Sequence, residues 1–242
     1  MELDRVRRRM KELKITQWNA DHMQVYGWDY FKRHAENTDV CILQRVMTDE
    51  IWNLDFEYVH SAGQGYGDDV SVVIASNVPY EDAKDIDLPS RELLKKTDDK
   101  HQGGKAISCV IEGIEFISAL PCHEETYDEF TLSRQDIWKD MKYLFDNFIH
   151  TDKCLIGADF HQEALNDPTH ESLIKTNGFE SRANNLITFT KKQQWGNRGP
   201  SSTRGFNLDR VLTKGDIRVF NLESFPQSVK RNGHILFNYN ID

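Results

Sequence analysis

A chain of 242 residues with 38% hydrophobic and 29% charged side chains can bury a sizeable core, as one large domain or two small ones. Its formal net charge of −9 argues against a surface coated in cations for gripping nucleic acid, and leaves room for a local basic groove or a metal-mediated contact. No apolar run is long enough to cross a bilayer and the N-terminus lacks a signal-peptide core, so an intracellular protein, cytoplasmic or nuclear, is expected.

The first residues are basic, with Arg5, Arg7, Arg8, Arg9, Lys11 and Lys14, while Leu3, Val6, Met10 and Leu13 recur at helical spacing. The expectation is an amphipathic helix over 1–13, either a docking helix with a solvated basic face or an arm for phosphate or a protein partner. Glu2, Asp4 and Glu12 argue against a transit peptide. Residues 14–242 then read as a single domain. Residues 14–21 alternate and end in Asn19 and Asp21, two apart and able to share one face of a strand. A helix rich in aromatics is predicted over 25–34 and a buried strand over 39–46.

A strand over 58–67 should pair back with 70–76 as a hairpin. Residues 80–104 are dense in Asp, Glu and Lys, and read as a surface excursion with one short helix near 91–96. Strand patterning resumes at 105–111 and 114–120 around Glu112-Gly113, and His123 follows the second strand. A helix over 130–149 places Ile137, Met141, Leu144, Phe145 and Phe148 on one face and leads into the apolar run Cys154-Leu155-Ile156-Gly157, so strand–helix–strand order is expected. That run ends in Asp159, with His161 two residues on, and strand ends are where sites gather in sheet-based enzymes.

Further on, a helix over 169–177 stops at Gly178 and a short strand covers 186–190. A loop over 195–204 carries Trp195, Arg198 and Arg204, a set able to stack on and grip nucleic acid. Strands are predicted over 206–213, with Asp209 in mid-run, and over 217–222, and the chain ends through Asn232-Gly233-His234 and 235–237. The four cysteines, Cys41, Cys109, Cys122 and Cys154, form no C-x-x-C pair, and three sit in apolar runs. Buried thiols are expected rather than disulfides or a zinc site.

Polar residues therefore recur at predicted strand ends: Asn19 and Asp21, Gln44 and Arg45, Asp159 and His161, Asp209, His234. In this order the motifs Gln17-Trp18-Asn19-Ala20-Asp21, Asp39-Val40-Cys41-Ile42-Leu43-Gln44-Arg45-Val46, Gly157-Ala158-Asp159-Phe160-His161, Asn207-Leu208-Asp209-Arg210-Val211-Leu212 and Asn232-Gly233-His234 resemble those of the endonuclease/exonuclease/phosphatase superfamily. That superfamily includes DNase I, exonuclease III-type repair nucleases and the endonuclease domains of non-LTR retrotransposons. The resemblance covers the chain from about residue 14 to its end. It implies an α/β fold: a four-layered α/β sandwich of two mainly antiparallel sheets flanked by helices, DNase I-like.

It also implies a chemistry. Water attacks a phosphodiester in line with the leaving oxygen, and a divalent cation, Mg2+ or Mn2+, neutralises the phosphoryl charge. By resemblance Asn19 and Asp21 lie at the metal and phosphate site and Asp159 orients the water. His234 contacts the scissile phosphate, with Asp209 fixing its tautomer. Three positions depart from the pattern. Arg45 stands where the superfamily has a metal-binding Glu, His161 where it has Asn, and Gly233 where it has Asp.

A guanidinium in place of a carboxylate changes the local charge by about two units, and a permanent cation opposes magnesium. Arg45 either pairs with Asp159 or Asp21 and plugs the site, or holds a phosphate without metal, with His161 and His234 adding to an anion site at mildly acid pH. Two expectations follow. One is a nuclease fold with a degenerate metal site that binds nucleic acid, a phosphate group or a protein partner. The other is an active metal-dependent phosphodiesterase, cutting DNA or RNA, in which Asp21 and Asp159, with or without His161, hold the metal and Asp159 and His234 act on the phosphate.

Overall fold

The computed structural model describes residues 12–20, 27–62, 70–95, 103–122, 125–126, 130–159, 168–182, 189–193, 202–206, 209–225 and 233–242. The chain runs β1 (Leu13–Asn19), α1 (Gly27–His34), β2 (Val40–Met47), a 3-10 helix (Thr48–Asn53), β3 (Tyr58–Ala62), β4 (Val70–Ser76) and β5 (Glu81–Asp87). Next come α2 (Arg91–Leu94), β6 (Lys105–Ile111), β7 (Ile114–Leu120), β8 (Glu125–Thr126), β9 (Thr131–Leu132), α3 (Arg134–Asn147) and β10 (Cys154–Asp159). The last part holds α4 (Pro168–Thr176), β11 (Phe179–Arg182), β12 (Phe189–Gln193), β13 (Ser202–Phe206), β14 (Asp209–Lys214), β15 (Val219–Ser224), β16 (Gly233–His234) and β17 (Phe237–Ile241).

Two six-stranded sheets carry the fold, one in the order β15-β17-β1-β2-β4-β3 and the other β11-β14-β10-β7-β6-β5. Most pairs are antiparallel, including the β3–β4 hairpin. The central pairs β1–β2 and β7–β10 are parallel, each bridged by a helix as parallel strands require. Period-two alternation sorts the side chains. Leu13, Ile15, Val40, Ile42, Phe116, Leu155, Val211, Phe237 and Tyr239 form the core between the sheets. The opposite faces pack on helices: Trp18, Cys41 and Leu43 against Tyr30 and Phe31 of α1, and Ile156, Ala158 and Leu212 against Ile137, Met141 and Leu144 of α3. Helix, sheet, sheet and helix make the four-layered α/β sandwich that the motifs imply.

All four cysteines are buried and free. The helix read as 130–149 begins at Arg134, because Ser133 and Asp136 form a capping box in which Asp136 accepts from the Ser133 N–H at 2.9 Å. Leu13 belongs to the inter-sheet core, so the strand takes a residue that helical spacing assigned to the N-terminal segment; residues 1–11 lie outside the described residues. The charged run at 81–87 is a strand on the edge of the second sheet, where only Ile86 is buried and the remaining side chains face solvent. A charged edge deters pairing with another chain, and its polarity is what made it read as a loop. No helix among the described residues is long and apolar enough to cross a membrane.

Candidate functional site

The two sheets meet at one end through polar side chains on their inner faces. In β1, Gln17 and Asn19 continue the inward series of Leu13 and Ile15, and both are fully buried. Gln17 Nε2 crosses the gap and donates to the Arg210 carbonyl at 3.0 Å. It passes over Gly157, where an added Cβ would lie 2.7 Å from Gln17 Oε1 and 2.6 Å from Ile42 Cγ2. Gly157 is therefore what lets the two sheets approach here. One step nearer the strand ends, Asn19 Nδ2 donates to Asp159 Oδ2 at 2.6 Å, joining the first motif to the third across 140 residues of sequence.

Asp159 has a second carboxylate beside it. The antiparallel register of β10 and β14 sets Asp159 directly opposite Asp209, and both are fully buried. Like charges directly opposite one another destabilise a sheet, so this end of the molecule favours a cation. Arg210 is not aimed there. Alternation turns it to the other face, where its Nη1 donates to Ser181 Oγ at 2.9 Å and burial draws its guanidinium below the ordinary value.

The strand beside β1 supplies a different candidate. Asn19 pairs with Gln44, whose Nε2 donates to Ser118 Oγ at 3.0 Å and to the Gly157 carbonyl at 3.2 Å, while Ser118 Oγ donates to the Leu43 carbonyl at 2.9 Å. Immediately after Gln44 the register with β4 slips between Leu43 and Val46, and Arg45 takes a left-handed φ of 53°. This is a β-bulge. Leu43 and Val46, three residues apart, both pack in the cluster on the helix-covered face, so the extra residue resets the alternation. It leaves Gln44 and Arg45 together on the side of the sheet that faces Asn19. A regular strand would have carried Arg45 to the helix side. Arg45 is half-buried.

The structure thus brings Asn19, Asp159 and Asp209 together and places Arg45 in the strand that pairs with Asn19. The remaining expected residues divide by what the structure describes. His234 is in β16, whose backbone pairs with Phe189, three residues before Phe237. Because Phe237 pairs with Gln17, this stretch runs along the end of β1 that carries Asn19. Arg204, expected in a loop, lies in β13 opposite Lys191. Asp21, His123, His161, Trp195 and Arg198 lie outside the described residues. Among the described residues no three His, Cys, Asp or Glu side chains cluster so as to hold a metal ion. Sequence reasoning missed Ser118, which fixes Gln44; its signal is a lone hydroxyl in the otherwise apolar run 116–120.

No protein-family model and no curated protein matches this sequence. Solved structures do. An endonuclease/exonuclease/phosphatase family protein from Leptotrichia buccalis superposes with a TM-score of 0.63 at 14% identity, covering 95% of this chain and 99% of the other. The 3′ phosphatase NExo from Neisseria, bound to a product DNA hairpin, gives 0.61 at 15% identity over 95% and 99%. TDP2 from D. rerio, complexed with a single-strand DNA product, gives 0.59 at 11% identity over 96% and 99%. The fold is the DNase I-like α/β sandwich of the endonuclease/exonuclease/phosphatase proteins.

Proposed function

We propose that this protein uses the DNase I-like sandwich to bind the phosphate of a DNA or RNA strand through a cationic site, with metal-dependent hydrolysis impaired. The observation that supports the reading is the bulge in β2, a register slip with a left-handed φ at Arg45, at the position where the superfamily pattern has a metal-binding Glu. A guanidinium is charged at every working pH and pairs bidentately with phosphate oxygens, so it supplies the positive charge that a metal would otherwise bring. The structural relatives bound to DNA products support nucleic acid as the ligand class.

The described donor set fits Mg2+ or Mn2+ poorly. Magnesium asks for near-octahedral oxygen ligands, mostly anionic or water, and Asp159 Oδ2 is already engaged by Asn19. The fixed charge of Arg45 further opposes a divalent ion. In this reading Asn19 orients Asp159, the carboxylates of Asp159 and Asp209 supply a negative field that complements the charge of Arg45, and His234 is assigned as a further phosphate contact.

A second reading, metal-dependent hydrolysis of a phosphodiester, draws on the facing carboxylates of Asp159 and Asp209, a pair that a cation would stabilise. Asp21 and Asp159 would hold the metal there. One experiment separates the two: cleavage of single- and double-stranded DNA and RNA with Mg2+ or Mn2+ and with chelator, alongside Asp159→Ala. The first reading expects no metal-dependent cleavage. Cleavage that requires metal and disappears in Asp159→Ala would establish the second.

A further inference from the structure

Two residues from His234, the chain is tied back to the edge of the first sheet. Strand β15 pairs with β17 as far as Ser224 and Phe237, and the Phe225 N–H adds one more rung by donating to the Leu236 carbonyl at 3.0 Å. Leu236 is fully buried in the cluster that packs on α1, and Phe225 lies against that cluster. The ladder that leads to this rung is weak. Strand β15 is an edge strand, and its register with β17 slips between Phe220 and Glu223. A pair broken by a bulge a few residues back gives its last rung little support.

One turn of α1 supplies that support. Tyr30 and His34, four residues apart on one helix face, have ring centroids 4.8 Å apart. The Tyr30 hydroxyl donates to the Phe225 carbonyl, so both backbone groups of Phe225 are engaged. The His34 ring stacks on the Phe225 ring, with centroids 4.3 Å apart and planes 28° apart. His34 is also the last residue of α1, where a carbonyl has no partner within the helix, and Asn238 Nδ2 donates to it at 2.8 Å. Asn238 Oδ1 in turn accepts from Thr16 Oγ1 of β1 at 2.7 Å. The same turn of α1 thus holds the chain on both sides of His234.

We propose that Tyr30 and His34 are positioning residues, a clamp that fixes the approach of His234 to the end of β1 carrying Asn19. The inference rests on the reading of His234 as a phosphate contact. The clamp is itself referenced to the site strand, because the Tyr30 ring meets the ring of Trp18, the neighbour of Asn19, edge-to-face at 5.8 Å. Freeing the Phe225–Leu236 rung therefore means giving up a hydroxyl bond and an aromatic stack together. Burial, reinforced by Arg33 and opposed by Glu223, draws the His34 imidazole below its ordinary value, so the ring stacked on Phe225 is neutral near neutral pH. A phenyl ring at this position keeps the stack, and a methyl group does not.

The test reads the segment and the ligand separately in the 242-residue chain. Amide hydrogen–deuterium exchange of residues 233–237 is compared in the natural chain, Tyr30→Phe, His34→Ala and His34→Phe, with circular dichroism to check that each folds. Exchange should quicken about tenfold in His34→Ala and by less in Tyr30→Phe, and return toward the natural rate in His34→Phe. A 5′-phosphorylated single-stranded oligonucleotide is then titrated, with chelator, into His34→Ala made in the natural and in the His234→Ala background. Affinity should fall about threefold in the first background and no further in the second, because the clamp acts through His234. Unchanged exchange in His34→Ala overturns the proposal. So does an equal loss of affinity in both backgrounds, which would mark a general loss of structure. An affinity that His234→Ala alone leaves unchanged overturns the phosphate role of His234 instead, and the exchange rates, which need no ligand, still decide whether the clamp holds the segment.

Discussion

Two buried acidic sites in this protein are built in opposite ways. Asp140, on α3, is fully buried and saturated by fixed donors: the Ser90 N–H at 2.9 Å, the Ser90 hydroxyl at 2.6 Å and the Cys122 N–H at 3.0 Å. It ties the start of α2 and the end of β7 to one helix. Burial, partly offset by those bonds, still raises its carboxyl above the usual value. Asp159 and Asp209 are just as buried, but the sheet register sets them against each other, with an asparagine and an arginine-bearing bulge alongside. The first arrangement holds parts of the fold in place. The second sets two buried carboxylates against each other on adjacent strands, an arrangement that costs stability where the first adds it.

The sharpest way to test the contrast is to remove Asp140. Asp140→Ala strands three buried donors and should cost about 3 kcal/mol or more in urea denaturation, with ligand affinity of the folded fraction intact. Gly157→Ala comes next. Its new methyl group meets Gln17 and Ile42 between the sheets, so a loss of about 2 kcal/mol is expected in the same assay, together with weaker ligand binding as the Asn19–Asp159 contact shifts.

Asp209→Asn should behave oppositely to Asp140→Ala. Relieving the facing charges leaves stability within about 1 kcal/mol of the natural chain, or raises it. A destabilisation as large as that of Asp140→Ala would mean that both sites are structural. The smallest effect is in pH. Because Asp140 is raised above its unfolded value, its contribution is fully present below the ordinary carboxylate pKa and is lost as pH rises through the raised folded value. The melting temperature of the natural chain should therefore fall slightly across that window relative to a chain with Asp140→Asn, which does not titrate there.

Much of this architecture could be read from one sequence, and the reasons for the rest are physical. Buried strands announce themselves by apolar runs, as in β2, β7 and β10, or by alternation, as in β1, and so these strands and β14 fall close to their expected places. The edge strand β5 carries one buried side chain and reads as polar loop, since what makes it a strand is its pairing with β6. The bulge at Arg45 is silent in sequence. The run from Val40 to Val46 looks regular, and only the pairing with β4 reveals that Leu43 and Val46 share a face. The candidate residues came from ordered motifs, but that Asn19 bonds Asp159, or that Asp159 faces Asp209, is a consequence of register and packing between strands far apart in the chain. Arg204 reads as loop from its glycine- and proline-rich surroundings, yet its backbone pairs within a strand.

The most direct test of the central claim is calorimetric titration of a 5′-phosphorylated single-stranded oligonucleotide into the 242-residue chain in the presence of chelator, repeated with Arg45→Glu. The account predicts binding without metal and an affinity about tenfold weaker in Arg45→Glu, the factor that 1.4 kcal/mol of a charge-assisted contact represents. Binding that appears only with Mg2+ or Mn2+, and that Arg45→Glu strengthens, would contradict it and return the site to metal chemistry.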